Sequence, residues 1–126
     1  KARELMLTHN RSEVKKAKGG QILELIGSDI SKINFECFLE SLGDQSQAKV
    51  VRIIKSGMTD FQFDSLLRFL SKNPGVETLI VTNNKLTEFS LSALNNFCML
   101  HKESSLSHVY LGSNRINREH ISSSVR

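Results

Sequence analysis

The stretch Leu79-Ile80-Val81-Thr82-Asn83-Asn84-Lys85-Leu86-Thr87 decides the fold. Laid beneath it at an offset of 28 residues, Val51-Arg52-Ile53-Ile54-Lys55-Ser56-Gly57-Met58-Thr59 reproduces its apolar positions. The agreement runs on through Phe61 with Phe89, Phe63 with Leu91, Leu66 with Leu94 and Phe69 with Phe97. The same offset in the other direction meets Leu23, Leu25, Ser28, Ile30, Ile33, Phe35, Phe38 and Leu42. An offset of 30 residues forward meets Leu106, Val109, Leu111, Asn114 and Ile116. A fixed period of this size is the mark of a repeat architecture, in which each unit buries its apolar face only against its neighbours. Four copies are expected, starting near residues 20, 48, 76 and 106.

Elementary geometry explains the pattern. Alternate side chains of an extended segment point to opposite faces, so Leu79 and Val81 are expected inside, with Thr78, Ile80 and Thr82 outside. Asn84 falls where the chain bends away, and its amide can pair backbone groups that the bend would otherwise bury unpaired. Each such group left unsatisfied costs about 1–3 kcal/mol. Ser28 and Ser56 take the place of the asparagine in the first two copies. A hydroxyl reaches less far and bonds fewer groups, so the ladder is expected to be weaker there.

Helical periodicity follows each strand. Phe63, Leu66, Leu67 and Leu70 recur at three- and four-residue spacing, as do Leu91, Leu94 and Cys98. Thr59-Asp60 and Thr87-Glu88 supply a cap and an acidic group at the helix starts, and Asn73-Pro74-Gly75 ends the second helix. The two extra residues of the last offset enter in the polar stretch from His101 to Ser105. Residues 1–19, with Leu5, Leu7 and Val14, are expected to form a helical cap carrying a basic arm, and residues 20–126 the repeats and a short tail. Ile121 and Val125 are the tail's apolar anchors, a poor cap, so the natural chain is expected to continue.

The pattern resembles the leucine-rich repeat, L-x-x-L-x-L-x-x-N-x-L. The third copy supplies Val76, Leu79, Val81, Asn84 and Leu86, and the fourth Leu106, Val109, Leu111, Asn114 and Ile116. The second is looser (Ala48, Val51, Ile53, Ser56, Met58), and the first looser still (Gly20, Leu23, Leu25, Ser28, Ile30). The resemblance covers residues 20–121, and its period is similar to that of the ribonuclease-inhibitor-like class. It implies an α/β fold, a short solenoid of four repeats with parallel strands on the concave face and helices on the convex face. Proteins of that class often act as inhibitors or adaptors, which implies a protein partner, an enzyme it masks among them. The irregular repeats and the Ser-, Asn- and Lys-rich helix surfaces are also similar to short leucine-rich-repeat effectors that bacteria such as Legionella deliver into host cells, implying the host cytosol as the site of action.

Composition narrows the classes. The chain has 126 residues, 39% apolar and 24% charged, with one Pro and seven Gly, which fits one globular domain. Its apolar runs fall far short of the roughly 18 residues needed to cross a bilayer, and no segment reads as a signal peptide. Cys37 and Cys98 make no disulfide framework, so a reducing, cytoplasmic setting is expected. The net charge of +4 comes wholly from residues 1–18, where Lys1, Arg3, Arg11, Lys15, Lys16 and Lys18 face Glu4 and Glu13. A neutral body argues against nucleic acid, whose binders carry a basic stripe across the fold.

Catalytic signatures are missing: the sequence holds no G-x-x-x-x-G-K-[ST], H-E-x-x-H, C-x-x-C or G-x-S-x-G. The four histidines lack metal-ligand spacing, and Cys98 aligns with Leu42 and Leu70 as a core residue, Cys37 with Ser65 and Ala93 as a small one. No catalysis, cofactor, metal or small-molecule substrate is expected. The strands' outward face remains: Ile22, Glu24 and Ile26; Val50, Arg52, Ile54 and Lys55; Thr78, Ile80, Thr82 and Asn83; His108, Tyr110 and Ser113. Strand propensity alone accounts for branched residues there, whereas a contiguous exposed apolar patch marks an interface. The patch of Ile22, Ile26, Val50, Ile54, Ile80 and Tyr110 is expected to be bordered by Glu24, Arg52, Lys55 and Asn83, with Glu24 paired to Arg52 and Tyr110 as anchor. Four strands of three or four residues give roughly 150–250 Å², against about 800 Å² per partner in a specific interface. The rim residues Lys55, Asn83, Lys85, Ser113 and Arg115 are therefore expected to contribute. Two alternatives stand beside this reading: a substrate-recognition fragment of a larger enzyme such as a ubiquitin ligase, and RNA or membrane-surface binding through residues 1–18.

Overall fold

Leu23, Leu25, Val51, Ile53, Leu79 and Val81, the alternate residues of three successive strands, are all buried in one core. The computed structural model describes residues 13–17, 20–42 and 47–116. Its strands are β1 (Glu13–Ala17), β2 (Gly20–Ile26), β3 (Ala48–Ile54), β4 (Thr78–Ile80) and β5 (His108–Tyr110), in the spatial order β1-β2-β3-β4-β5. Neighbours from β2 to β5 are parallel, so each connection must cross over, and each does so with a helix. These are α1 (Phe35–Ser41), α2 (Asp60–Ser71) and α3 (Glu88–Leu100). The result is a repeat-type α/β fold: a parallel four-stranded sheet whose inner side chains meet those of three helices. Phe35, Phe38, Phe63, Leu66, Leu91 and Leu94 come from the helix side of that core.

One expectation fails. Glu13–Ala17 forms a strand antiparallel to β2, with Val14 opposite Leu23 and Ala17 opposite Gly20, where a helical cap was expected. The physical reason lies in the connection: two residues, one of them Gly19, separate Ala17 from Gly20, which is the length and chemistry of a β-hairpin. Pairing also satisfies a β2 edge that would otherwise be open. The remainder of the expected cap (residues 1–12 and 18–19) and the tail beyond Ile116 lie outside the described residues.

Bends at the strand ends are held by side-chain amides. Asn84 Oδ1 accepts from the backbone N–H of Ser56 (3.0 Å) and Met58 (3.1 Å), while Nδ2 donates to the carbonyls of Ile53 (2.7 Å) and Thr82 (3.0 Å). Asn114 repeats this one unit on: Oδ1 accepts from Asn84 and Leu86 N–H, both 3.1 Å, and Nδ2 donates to Val81 and Leu111 carbonyls, both 2.9 Å. Each asparagine thus clamps the preceding turn to its own. Ser56 is buried, and its hydroxyl donates to the Ile54 carbonyl two residues back in its own chain segment (3.0 Å). At the same bends Gly27, Lys55, Asn83 and Ser113 share left-handed backbone, with φ of 70°, 52°, 58° and 58°.

Caps fix the helix starts. Thr59 and Gln62 form a reciprocal capping box on α2, and the buried Gln62 amide also donates to the Ile30 carbonyl, tying α2 to the first unit. Thr87 caps α3, as its position predicts, whereas Asn34 caps α1 without having been singled out. Asp60, the first residue of α2, accepts from Thr87 N–H (2.9 Å), Thr87 Oγ1 (2.6 Å) and Ser90 Oγ (2.5 Å), which joins the starts of α2 and α3. Burial acts to raise the Asp60 pKa, but these hydrogen bonds outweigh it and hold the carboxyl below its ordinary value.

Two outcomes follow for stability. Asn84→Ala strips Ser56 N–H, Met58 N–H and the Ile53 carbonyl of partners, and is expected to cost about 3 kcal/mol or more in urea unfolding, while Ser56→Ala costs about 1 kcal/mol or less. Because the folded Asp60 pKa lies below the unfolded value of 3.8, its contribution is present above that pH and is lost as pH falls through the folded pKa. Asp60→Asn is therefore expected to lower the melting temperature near neutral pH, and the gap to the natural protein should close in acid below pH 3.8.

Candidate protein-binding face

The register of the parallel strands sorts the outward residues into rows. Ile22, Val50, Thr78 and His108 stand side by side, and next to them Glu24, Arg52, Ile80 and Tyr110. A third row begins with Ile26 and Ile54, and the Lys55 N–H to Thr82 carbonyl bond (3.1 Å) carries the ladder on to Thr82. The expected outward set therefore does share one face of β2–β5. Ile22, Val50, Ile54, Thr78, Ile80 and Thr82 are half-buried on it, Ile26 and Tyr110 are each 51% exposed, and His108 is exposed. Lys55, Asn83 and Ser113 stand at the exposed bends where the strands end.

Charge is arranged differently from the expectation. Arg52 Nη1 meets Glu24 Oε2 at 2.7 Å, so the expected pair forms. Yet this pair occupies the middle row, between Ile22 and Val50 on one side and Ile26 and Ile54 on the other, and is not the border of the apolar patch. Parallel in-register strands impose this, since equivalent residues of neighbouring units must be adjacent. The Glu24 side chain is 11% exposed, and Arg52 Nε is buried without a hydrogen-bond partner. The open apolar side chains on this face are Ile26 and Tyr110, each 51% exposed, with half-buried Ile54 beside Ile26 and half-buried Ile80 beside Tyr110 between them.

The helix side holds the surprises. Cys98, expected in the core, is exposed, and so is Cys37; partial desolvation raises the Cys98 thiol pKa above its ordinary value. Their positions in the central helix, Leu70 and Ser65, are buried. The reason is flanking: α2 packs against both α1 and α3 and buries a wide arc, whereas among the described residues α3 has one helical neighbour and buries only Ser90, Leu91, Leu94 and Phe97. Phe61 and Phe89, which match in the repeat alignment, are not core residues but 80% and 81% exposed. Their signal was in the sequence: each lies two residues before the first core residue of its helix, a rotation of about 200° at 3.6 residues per turn. Asp64 and Arg68, at 2.5 Å, line a shallow cleft of about 260 Å³ between α2 and α3, and Arg68 also reaches Glu36 of α1 at 3.1 Å. Among the described residues no cluster of His, Cys, Asp or Glu has the grouping of a metal site, and no helix is long and apolar enough to cross a membrane.

No protein-family model matches the sequence, and no curated protein matches it at a significant level. Similar folds occur among solved structures. One is "Leiomodin-1 Actin-Binding Site 2 (ABS2)", with a TM-score of 0.60 at 13% identity, over 79% of this chain and 60% of that one. The present chain thus spans less than two thirds of that structure, and at this identity the likeness is one of fold.

The ion pair in the middle row gives a prediction. Arg52→Met removes the Arg52 cation from the poorly exposed Glu24 carboxylate and is expected to cost about 1–3 kcal/mol in urea unfolding. Adding Glu24→Leu, which makes the row apolar, should recover most of that loss.

Proposed function

We propose that the chain is a non-catalytic leucine-rich-repeat module of four units that recognises a protein partner through the outward face of β2–β5 and its rim. One observation carries the reading: exposed Ile26 and Tyr110 and half-buried Ile54 and Ile80 share a sheet face that the core does not use. Branched and aromatic residues in strands need not be solvent-facing, and a contiguous open patch of them is what interfaces use. Tyr110 offers a rigid ring with a polar tip, a residue type enriched at interface hot spots. The structural neighbour carries the name of an actin-binding site, which supports protein recognition as a use of this scaffold. Masking of a partner enzyme is the finer form of the proposal, separated from simple tethering by assaying the captured protein with and without the module.

The decisive comparison is affinity capture from cell lysate by the natural protein and by Ile54→Arg/Ile80→Arg, with circular dichroism and melting temperature confirming an unchanged fold. A partner held by the first and lost by the second is the expected result. Purified actin belongs in the same experiment as a defined probe. Equal capture by both proteins moves the binding site to the helix side or to residues 1–18.

A further inference from the structure

The strands β3, β4 and β5 end in turns that bring three cations together. Lys85 N–H donates to the Met58 carbonyl (2.9 Å), Arg115 N–H to the Leu86 carbonyl (2.8 Å) and Asn83 N–H to the Gly112 carbonyl (3.0 Å). These bonds hold successive turns at strand spacing, so Lys85 and Arg115, equivalent positions of neighbouring turns, stand about 5 Å apart along the stack, and Lys55 lies on the preceding turn two residues earlier in the unit. All three are exposed, and among the described residues none joins an ion pair. One acid stands near them: Asp29 on the first turn, hydrogen-bonded to Ser31, attracts Lys85 through space, so three cations face one carboxylate. Asp60 is hydrogen-bonded to Thr87 and Ser90, and Glu88 has interactions of its own. Lys55 also holds a left-handed conformation that glycine fills at the matching position, Gly27. Asn83 and Ser113 hold the same conformation, so the bend is common to the units, and glycine can replace Lys55 there without strain.

We propose that Lys55, Lys85 and Arg115 form a docking rim for an acidic segment of a protein partner, whose apolar side chains lie on the adjoining Ile54, Ile80 and Tyr110. The inference rests on the protein-binding reading above and names the chemistry of the partner. Charge complementarity argues for it: Lys85 and Arg115, one strand spacing apart, are closer than the Debye length of about 8 Å at physiological salt, so their repulsion is only partly screened and an anionic segment relieves it. The joined surface argues for a polypeptide, since a phosphate chain or a lipid headgroup layer would set polar groups against Ile54 and Ile80. Area argues the same way, because the sheet face alone is too small for a specific interface.

The test is selection of a random-peptide phage library on the whole chain, followed by affinity measurement of the leading synthetic peptides. The expected winners combine Asp and Glu with apolar residues. They should bind Lys85→Glu/Arg115→Glu about tenfold or more weakly, as expected for losing two exposed charge pairs and gaining repulsion. Lys55→Gly removes a charge while relieving the backbone, so weaker binding with undiminished stability separates docking from folding. Neutral or basic winners, no enrichment, or acidic winners indifferent to the charge reversal overturn the inference. Oligouridylate and phosphatidylserine vesicles serve as phosphate probes; if they bind, lose binding in the same double variant, and acidic peptides are not selected, the rim belongs to phosphate and the inference falls. Acidic peptides lost on Ile54→Arg/Ile80→Arg yet indifferent to rim reversal sink the rim and spare the sheet face. The opposite pattern upholds the rim and sinks the sheet face.

Discussion

Every unit of this fold must turn its chain from strand to helix inside the protein, and the backbone polar groups at that turn are cut off from both water and a regular ladder. Their satisfaction is the constraint on which the rest depends. Asn84 and Asn114 meet it by acting as both acceptor and donor, each bonding the preceding turn and its own. By holding the N–H groups of Met58 and Leu86, these two amides fix the chain just beyond the bends, where both side chains are buried. A serine hydroxyl also donates and accepts, but from one atom on a shorter side chain, and Ser56 donates to the carbonyl of Ile54 in its own segment.

Stacking has a second consequence. A unit in the middle is covered from both sides and a unit at the end from one, so identical repeat positions meet different surroundings. Leu70 and Ser65 are buried in α2, while their counterparts Cys98 in α3 and Cys37 in α1 are exposed. The repeat therefore sets which residues point toward the core, and the position of the unit in the stack sets how many of them reach it.

That distinction also governs how much was legible in the sequence. Strand faces, the asparagine positions, the threonine caps and the Glu24–Arg52 pair are local or depend on one offset, and the structure places each as the repeat pattern implies. Strand β1 departs from the helical expectation because the apolar residues of a short edge segment fit either period, while the two-residue spacing at Gly19 decides for a hairpin. Cys98 was misplaced because alignment treats all units as equivalent. Phe61 and Phe89 match each other in the repeat, yet their helical phase points them outward. The place of the ion pair on the face required laying the strands in register side by side, not reading each alone.

The two halves of the sheet differ in kind, and the proposed face falls on one of them. Between β2 and β3 the middle row is filled by an ion pair, and a charged pair resists the loss of water that a partner would impose on it. Between β3 and β5 the same row carries Ile80 and Tyr110, whose desolvation is favourable. The asparagine clamps join these strands: Asn84 binds the β4 turn to that of β3, and Asn114 binds the β5 turn to that of β4. A binding surface costs less ordering entropy when its groups are already fixed. Tyr110, the cations Lys85 and Arg115 and the asparagine-clamped turns thus coincide on one half of the sheet, while Ile26 is open on the other. A repeat fold gains this by varying the units it stacks: the sequence that weakens the asparagine pattern in the first two units also places charge on their face, and the sequence that completes it leaves the face free for a partner.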